Sequence, residues 1–359
     1  MRLVNRLSML LLLAFLCVPA VADQAESGWL AAAGEIQTPA DLNSPNGTWL
    51  AQATQPKGPA TVVKEEKVVK VQEPAKKGPP LPLHTIEGAG GTLTVPVAYL
   101  INPGPEGSIT RGPAVSYTFI DTGHQKNLMV AAVSQSFFQR FEVSYALGRF
   151  YLGTLPHVIR KVSGGALHIR DEVWLNQFRG TAVIIKENEF GSWCPQVTAS
   201  AIFKYNQGID NLDKELQPIG GLRASGYRRH YGVDYTLTLS KMVVMPLIER
   251  PFIFTVGGRN SSASNIGYTG FTDNAVFSVE GSVICMVTDK LAAFYEFRQK
   301  SNPYSRVPGV VGDEGNWHGA ALAYIVNPNL VVAVAYGRMG EVGNTDVDGA
   351  WGFQIKYEF

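Results

Sequence analysis

Between Tyr231 and Ser240 the chain reads YGVDYTLTLS, with Tyr231, Val233, Tyr235, Leu237 and Leu239 alternating with Gly232, Asp234, Thr236, Thr238 and Ser240. A period of two puts the bulky apolar set on one face of a β-strand and the small or polar set on the other. The same alternation runs through 141–147, 197–205, 275–283, 291–297 and 351–359. It recurs more weakly in 92–101, 115–119, 128–135, 173–186, 252–259, 317–326 and 330–336, giving thirteen candidate strands. So many strands with one apolar face need either lipid or a tight core against that face.

Residues 1–22 select lipid. Arg2 and Arg6 precede an apolar run over 9–18, and Ala20-Val21-Ala22 stands before Asp23. This is the layout of a secretory signal peptide cleaved after Ala22. Cleavage leaves 29 of the 31 basic side chains against 30 acidic ones, a balance that gives no reason to expect nucleic acid. Beyond this leader, the nearest approach to a spanning helix is 319–337, which carries Asn327-Pro328-Asn329 at its centre. That tripeptide breaks a helix and suits a hairpin turn. An exported chain that enters a bilayer through strands must close them into a barrel, since an open edge would leave backbone groups unpaired in lipid. The composition agrees, with 37 glycines, 37 aromatic residues and only 17% charged residues.

Residues 56–82 contain six prolines, six lysines, three glutamates and no aromatic residue, the make-up of an extended linker without a core. Its net charge of +3 suits contact with an acidic surface such as cell-wall polymer or lipid headgroups. The expected organisation is a signal peptide over 1–22, a disordered periplasmic segment over 23–87 and a barrel over 88–359.

Connection lengths orient the barrel. Short links fall near 135–140, 287–290 and 327–329, and long polar ones at 206–228, 260–273, 299–316 and 337–349. Outer-membrane barrels place short turns in the periplasm and long loops outside. Thirteen strands is the wrong parity for two periplasmic ends. The expected fold is therefore all-β, a transmembrane antiparallel up-and-down barrel of 12 strands with 14 as the fallback, the miscounted strand lying between 150 and 186. The last strand spans ~20 Å when tilted by ~40°, close to the ~25 Å apolar band of such barrels.

That last strand places Trp351, Phe353, Ile355, Tyr357 and Phe359 on one face and ends on Phe359. It looks like the C-terminal assembly signal of bacterial outer-membrane proteins. The stretches GAGGTLTVPVAYLINPGPEG (from Gly88) and LHIRDEVWLNQFRG (from Leu167), with the ending WGFQIKYEF, are similar to an uncharacterised family of exported bacterial proteins. Its members begin with a Gly-Gly-x-Leu strand and are taken to be outer-membrane barrels. The resemblance covers 88–359 and carries no catalytic residues. It implies outer-membrane lipid, the barrel assembly machinery and periplasmic chaperones as partners.

Chemistry is sparse. The histidines at 84, 124, 157, 168, 230 and 318 include no pair at metal-ligand spacing, and no Cys-x-x-Cys occurs, so no cofactor is expected. The glycine-rich GGRNSSASNIG at 257–267 joins two strands and reads as an outer loop, not as a phosphate cradle. Ser225, His230 and Asp234 are the nearest approach to a hydrolase cluster, and nothing in their spacing fixes a geometry. Cys194 and Cys285 fall on strands too far apart to bridge unless the turn at Cys194 folds across.

The lumen remains. Lys204, Asp234, Glu280, Glu296 and Arg298 have inward parity and are expected to line a pore; Ile284, Phe294 and Tyr324 share that parity. Register follows from charge: a loop of Thr288-Asp289-Lys290 sets Glu280 opposite Arg298, whereas the competing register sets it opposite Glu296 and is disfavoured by like-charge repulsion. Glu296 would then be the unpaired charge and impose a weak cation preference. The leading expectation is a narrow channel or solute-uptake pore without an enzymatic site. The alternatives are a non-conducting structural barrel tethering a periplasmic partner and an outer-membrane hydrolase.

Overall fold

A computed structural model describes residues 82–359 apart from 248, 306–311, 313 and 343–344. The expected signal peptide and nearly all of the expected linker lie outside the described residues. Two short strands come first, β1 (Leu83–His84) and β2 (Gly90–Gly91). They are followed by β3 (Ala114–Asp121), β4 (Lys126–Phe137), β5 (Phe141–Leu152), β6 (Glu172–Ile185), β7 (Gln196–Gln207) and β8 (Tyr231–Met245). Then come β9 (Arg250–Ala263), β10 (Phe271–Met286), β11 (Leu291–Arg298), β12 (Trp317–Asn327) and β13 (Leu330–Arg338). The ribbon β14 (Gly340–Val342) and β15 (Thr345–Val347) precedes the last strand, β16 (Ala350–Glu358). Strands β3 to β13 pair in sequence order, and β16 pairs with both β13 and β3, closing an antiparallel barrel of twelve strands.

Twelve of the thirteen alternating segments are these barrel strands. The surplus one is 92–101, not a segment between 150 and 186: it lies inside the barrel and makes no ladder with the wall. Pro96 keeps it from joining a ladder, because proline has no N–H to donate.

At one end of the barrel the links are 138–140, 186–195, 246–249, 287–290 and 328–329; at the other they are 122–125, 153–171, 208–230, 264–270, 299–316 and 339–349. These are the turn end and the loop end. The turns are set locally. Phe138 and Gln139 take φ of 52° and 54°, the primed geometry whose twist matches flanking strands. The Asn327 side chain accepts the N–H groups of Asn329 (2.8 Å) and Leu330 (3.0 Å), fixing the expected turn. Longer links hold helices α1 (Leu155–Val162) and α2 (Ile209–Glu215) at the loop end.

The β10–β11 register pairs Glu280 with Arg298 and Val283 with Tyr295, as the charge argument requires. Outward faces are apolar: Tyr235, Leu237, Val256, Phe277, Tyr295 and Phe353 are all exposed. In β16, Trp351, Phe353, Ile355 and Tyr357 point out while Gly352, Gln354, Lys356 and Glu358 are buried inside. Tyr324 also points out, contrary to the inward parity read for it, because inward positions on β12 are odd-numbered from Trp317 to Ile325. Ile284 and Phe294 are buried as expected. Cys194 and Cys285 are both free. An outer wall of this kind is the surface of a transmembrane barrel.

Depth along that wall sets the penalty for charge. Val256→Arg, mid-strand on the apolar face, is expected to cost ~2–4 kcal/mol, and Val326→Arg, near the turn end, only ~0–1 kcal/mol. Urea unfolding in lipid vesicles measures both, and equal costs would contradict a bilayer around this face.

Candidate functional site: the lumen

Residues 82–101 occupy the turn-end half of the lumen. The segment enters beside the end of β16, where the Lys356 ammonium donates to the Pro82 carbonyl. It climbs to Glu87, folds back through β2, and leaves again at the turn end, where Asn102 Nδ2 donates to the carbonyl oxygens of Gly112 (2.7 Å) and Phe359 (3.0 Å). Its shape is locally encoded. The Thr85 N–H donates to Ala89 O (2.7 Å), Ile86 N–H to Leu93 O (2.9 Å) and Val97 N–H to Gly90 O (2.8 Å). At Gly91 a Cβ would lie 2.2 Å from the Val95 carbonyl oxygen, so no other residue fits this close approach.

The wall binds the segment through polar side chains. Gln354 accepts the His84 N–H (3.1 Å) and donates to the His84 carbonyl (2.6 Å). Gln177 donates to Ile86 O (2.9 Å), Ser240 Oγ accepts the Ala98 N–H (2.8 Å), and the Glu142 carboxylate accepts the Ile101 N–H (2.6 Å). Glu296 accepts from the Thr92 hydroxyl and from the N–H groups of Thr94 (2.9 Å) and Val95 (3.2 Å). With the segment in place Glu296 is therefore not an unpaired charge: its Oε2 is engaged by the Thr92 hydroxyl and two backbone N–H groups.

At the top of the climb Glu87 meets a cluster of buried ions. Its Oε1 accepts from Lys204 Nζ (2.5 Å) and Arg259 Nη1 (3.1 Å), and its Oε2 from Arg259 Nη2 (2.8 Å) and Arg298 Nη2 (2.9 Å). Asp234 shares Lys204 (2.6 Å) and Arg259 (3.0 Å), and Glu280 shares Arg259 (3.2 Å) and Arg298 (3.5 Å). Three cations and three carboxylates thus sit together, all with side chains at most 4% exposed. Burial raises the Glu87 carboxyl pKa, but Arg259, Arg298 and Lys204 more than reverse this and hold it well below the usual carboxylate range.

Of the five residues expected to line a pore, Lys204, Asp234, Glu280 and Arg298 converge on this cluster, and Glu296 stands apart on the segment's backbone. Sequence reasoning missed Glu87 and Arg259. Arg259 has inward parity on a strand already recognised, and counting from Phe252 would have found it. Glu87 had no such signal, because it closes a stretch read as linker.

The loop end is filled differently. The link 264–270 dips into the barrel, where Lys204 Nζ donates to Ile266 O (3.0 Å) and Asn206 Nδ2 to Gly267 O (2.7 Å) and Tyr268 O (2.8 Å). Asn265 and Ile266 take φ of 44° and 65°. For a β-branched residue like Ile266 this conformation is strained and persists only when packing enforces it. The packing comes from Phe150, Leu175, Leu222, Tyr227 and Phe271, which form one buried apolar cluster with Ile266 and Tyr268. A cavity of about 30 Å³ within it has room for a water molecule, not a solute.

Ser225, His230 and Asp234 do not assemble. Ser225 Oγ donates to Leu222 O (2.7 Å), His230 pairs with Asp210 (2.7 Å), and Asp234 belongs to the lumen cluster.

His84 gives the segment a pH response. Burial, reinforced by the charge of Lys356, holds its imidazole well below the ordinary value, so it is neutral in the folded barrel. The unfolded chain takes up this proton as pH falls through ~6.5, and the folded one does not. His84 therefore costs no stability above ~6.5 and lowers it progressively below. The unfolding midpoint should drop between pH 7 and 5, and His84→Gln should flatten that drop.

A family model described as "Protein of unknown function (DUF3034)" matches residues 82–355. A search of curated proteins finds no match. Among solved structures, the chain is similar to the Acinetobacter baumannii outer membrane protein Omp33, with 13% identity, a TM-score of 0.38, and coverage of 70% of this chain and 100% of that one. It is also similar to the KdgM porin, with 10% identity, a TM-score of 0.41, and coverage of 68% and 99%. An outer membrane channel from Pseudomonas putida F1 gives 10%, 0.38, and 72% and 98%.

Proposed function

The chain belongs to the DUF3034 family, and we propose that it is an outer-membrane channel closed by its own segment 82–101, the leader being removed after Ala22. The observation that carries this reading is the set of polar side chains on the wall around the segment, which continues beyond the apolar stretch of Ile284, Phe294, Ala321 and Val331 that meets Leu83 and Val97. Ser116, Thr118, Ser134, Thr198, Thr238 and Ser282 face inward there, together with the ionised residues already described. Such a wall suits water as well as it suits the segment, so withdrawal through the turn end would leave a hydrated passage lined by Lys204, Asp234, Glu280, Glu296 and Arg298. An apolar core would have no such second state.

Conductance in planar bilayers tests the reading. The full chain is expected to be silent or to open briefly, and a chain lacking 82–101 to conduct steadily. A truncated chain that is folded, as judged by a heat-modifiable gel shift, and yet silent would reject the channel. The apolar cluster around Phe271 at the loop end favours the second reading, a non-conducting structural barrel that tethers a periplasmic partner through 23–81.

In either reading Trp351, Phe353, Ile355, Tyr357 and Phe359 are the signal recognised by the barrel assembly machinery. Their outward exposure on the closing strand leaves them accessible to a partner until the seam forms. Deleting Phe359 should lower outer-membrane insertion far more than deleting 23–81, and normal accumulation of heat-modifiable protein without Phe359 would exclude this role.

A further inference from the structure

Glu87 is held as a ligand would be. Both of its carboxylate oxygens accept two charge-assisted hydrogen bonds, and Arg259 reaches both oxygens with its two terminal nitrogens. This two-pronged grip on a planar carboxylate is the strongest geometry available to arginine.

The cations owe their positions to the wall, not to Glu87. Lys204 is held by Asp234 and the Ile266 carbonyl, Arg259 by Asp234 and Glu280, and Arg298 by Glu280 and the Thr94 carbonyl (3.2 Å). All but the last of these anchors belong to the barrel and its loop, so the arrangement survives withdrawal of the segment. Withdrawal also unbalances the charge, leaving three wall cations against two carboxylates.

A fourth cation adds to the imbalance. Arg179 is buried at 5% exposure, and its Nη2 bonds Ser200 Oγ (2.9 Å) and Thr236 Oγ1 (3.3 Å). Thr236 is the residue paired with Arg259 in the β8–β9 register. Arg179 Nη1 is buried without a hydrogen-bond partner among the described residues. An unpaired buried guanidinium N–H beside an anion-holding cluster is a donor waiting for an acceptor.

We propose that Lys204, Arg259 and Arg298 form a carboxylate-binding site that Glu87 fills from within the chain, and that a small solute bearing a carboxylate takes its place when segment 82–101 withdraws. The solute half of this inference rests on the channel reading; the site itself does not. Glu87 is then both the closure of the passage and the competitor of what passes.

Chemical rescue tests the site. Full-length Glu87→Ala protein in detergent, at pH 7.5, is heated in sodium chloride or in sodium acetate of equal ionic strength. Acetate is expected to raise the unfolding midpoint saturably, by on the order of 5 °C. Wild type and Glu87→Gln, whose own side chains fill the site, should show no such gain. If Glu87→Ala folds too poorly in chloride to be melted, the folded fraction on an unheated gel becomes the readout, and acetate should raise it. Equal values in the two salts, or an equal acetate gain in wild type and Glu87→Gln, would overturn the site. The readout is stability rather than current, so a silent chain lacking 82–101 would remove the channel reading without touching this result.

Discussion

Closure of the sheet between β16 and β3 is the constraint on which the rest depends. In hydrocarbon an unpaired edge would expose a row of N–H and C=O groups at several kcal/mol each, so the last strand must find the first one. Trp351↔Asp121 through Glu358↔Ala114 is that seam, and it spans almost all of both strands. Closing twelve strands has a geometric consequence. Eight strands give an interior that wall side chains can fill, whereas a wider barrel leaves space that must hold water, a ligand or more of the chain. Here the chain fills it.

The lumen is filled by two chemistries, polar and apolar, that meet on the segment 82–101. The hydrogen bonds and ion pairs of the lumen gather on the segment 82–101, which also packs Leu83 and Val97 against the wall and Ile86 and Leu93 against the apolar cluster formed by the link 264–270 and the region around α2. Buried ions pay a desolvation cost that their mutual attraction recovers only with good geometry, and removing one partner of such a set typically costs ~3–5 kcal/mol. The cluster of Lys204, Arg259, Arg298, Asp234, Glu280 and Glu87 is neutral as a set, with every member paired more than once. Its worth lies in specificity. The apolar contacts of the segment do not by themselves fix its height in the lumen, whereas Glu87 has one height at which both oxygens are satisfied.

On the channel reading the polar contacts are the reversible ones. Water can replace each hydrogen bond that the wall makes to 82–101, but not the apolar packing of Leu83, Ile86, Leu93 and Val97, of which Ile86 and Leu93 share the cluster of Tyr227, Phe271 and Ile266. A barrel built only to be rigid gains nothing from Ser, Thr, Gln and ionised residues along its inner wall, since well-packed hydrophobic side chains of similar volume would serve as well or better.

The sequence by itself determined the strands, their faces and even a register. Alternation is a local property, so 231–240 or 351–359 could be assigned inward and outward positions from a handful of residues, and the requirement that Val283 and Tyr295 both face out, with like charges kept apart, was enough to oppose Glu280 and Arg298. The same locality misled at 92–101. Thr92-Leu93-Thr94-Val95 alternates like a strand, yet its donors bond across the lumen to Glu296 and within the segment, and only the closed barrel offers the Glu296 partner. Glu87 illustrates the limit most sharply. It lies 117 residues from Lys204, 172 from Arg259 and 211 from Arg298, and no periodicity connects positions that far apart. Which side of a strand a residue faces is written in its neighbours; what stands opposite it across a lumen is decided only when the sheet has closed around it.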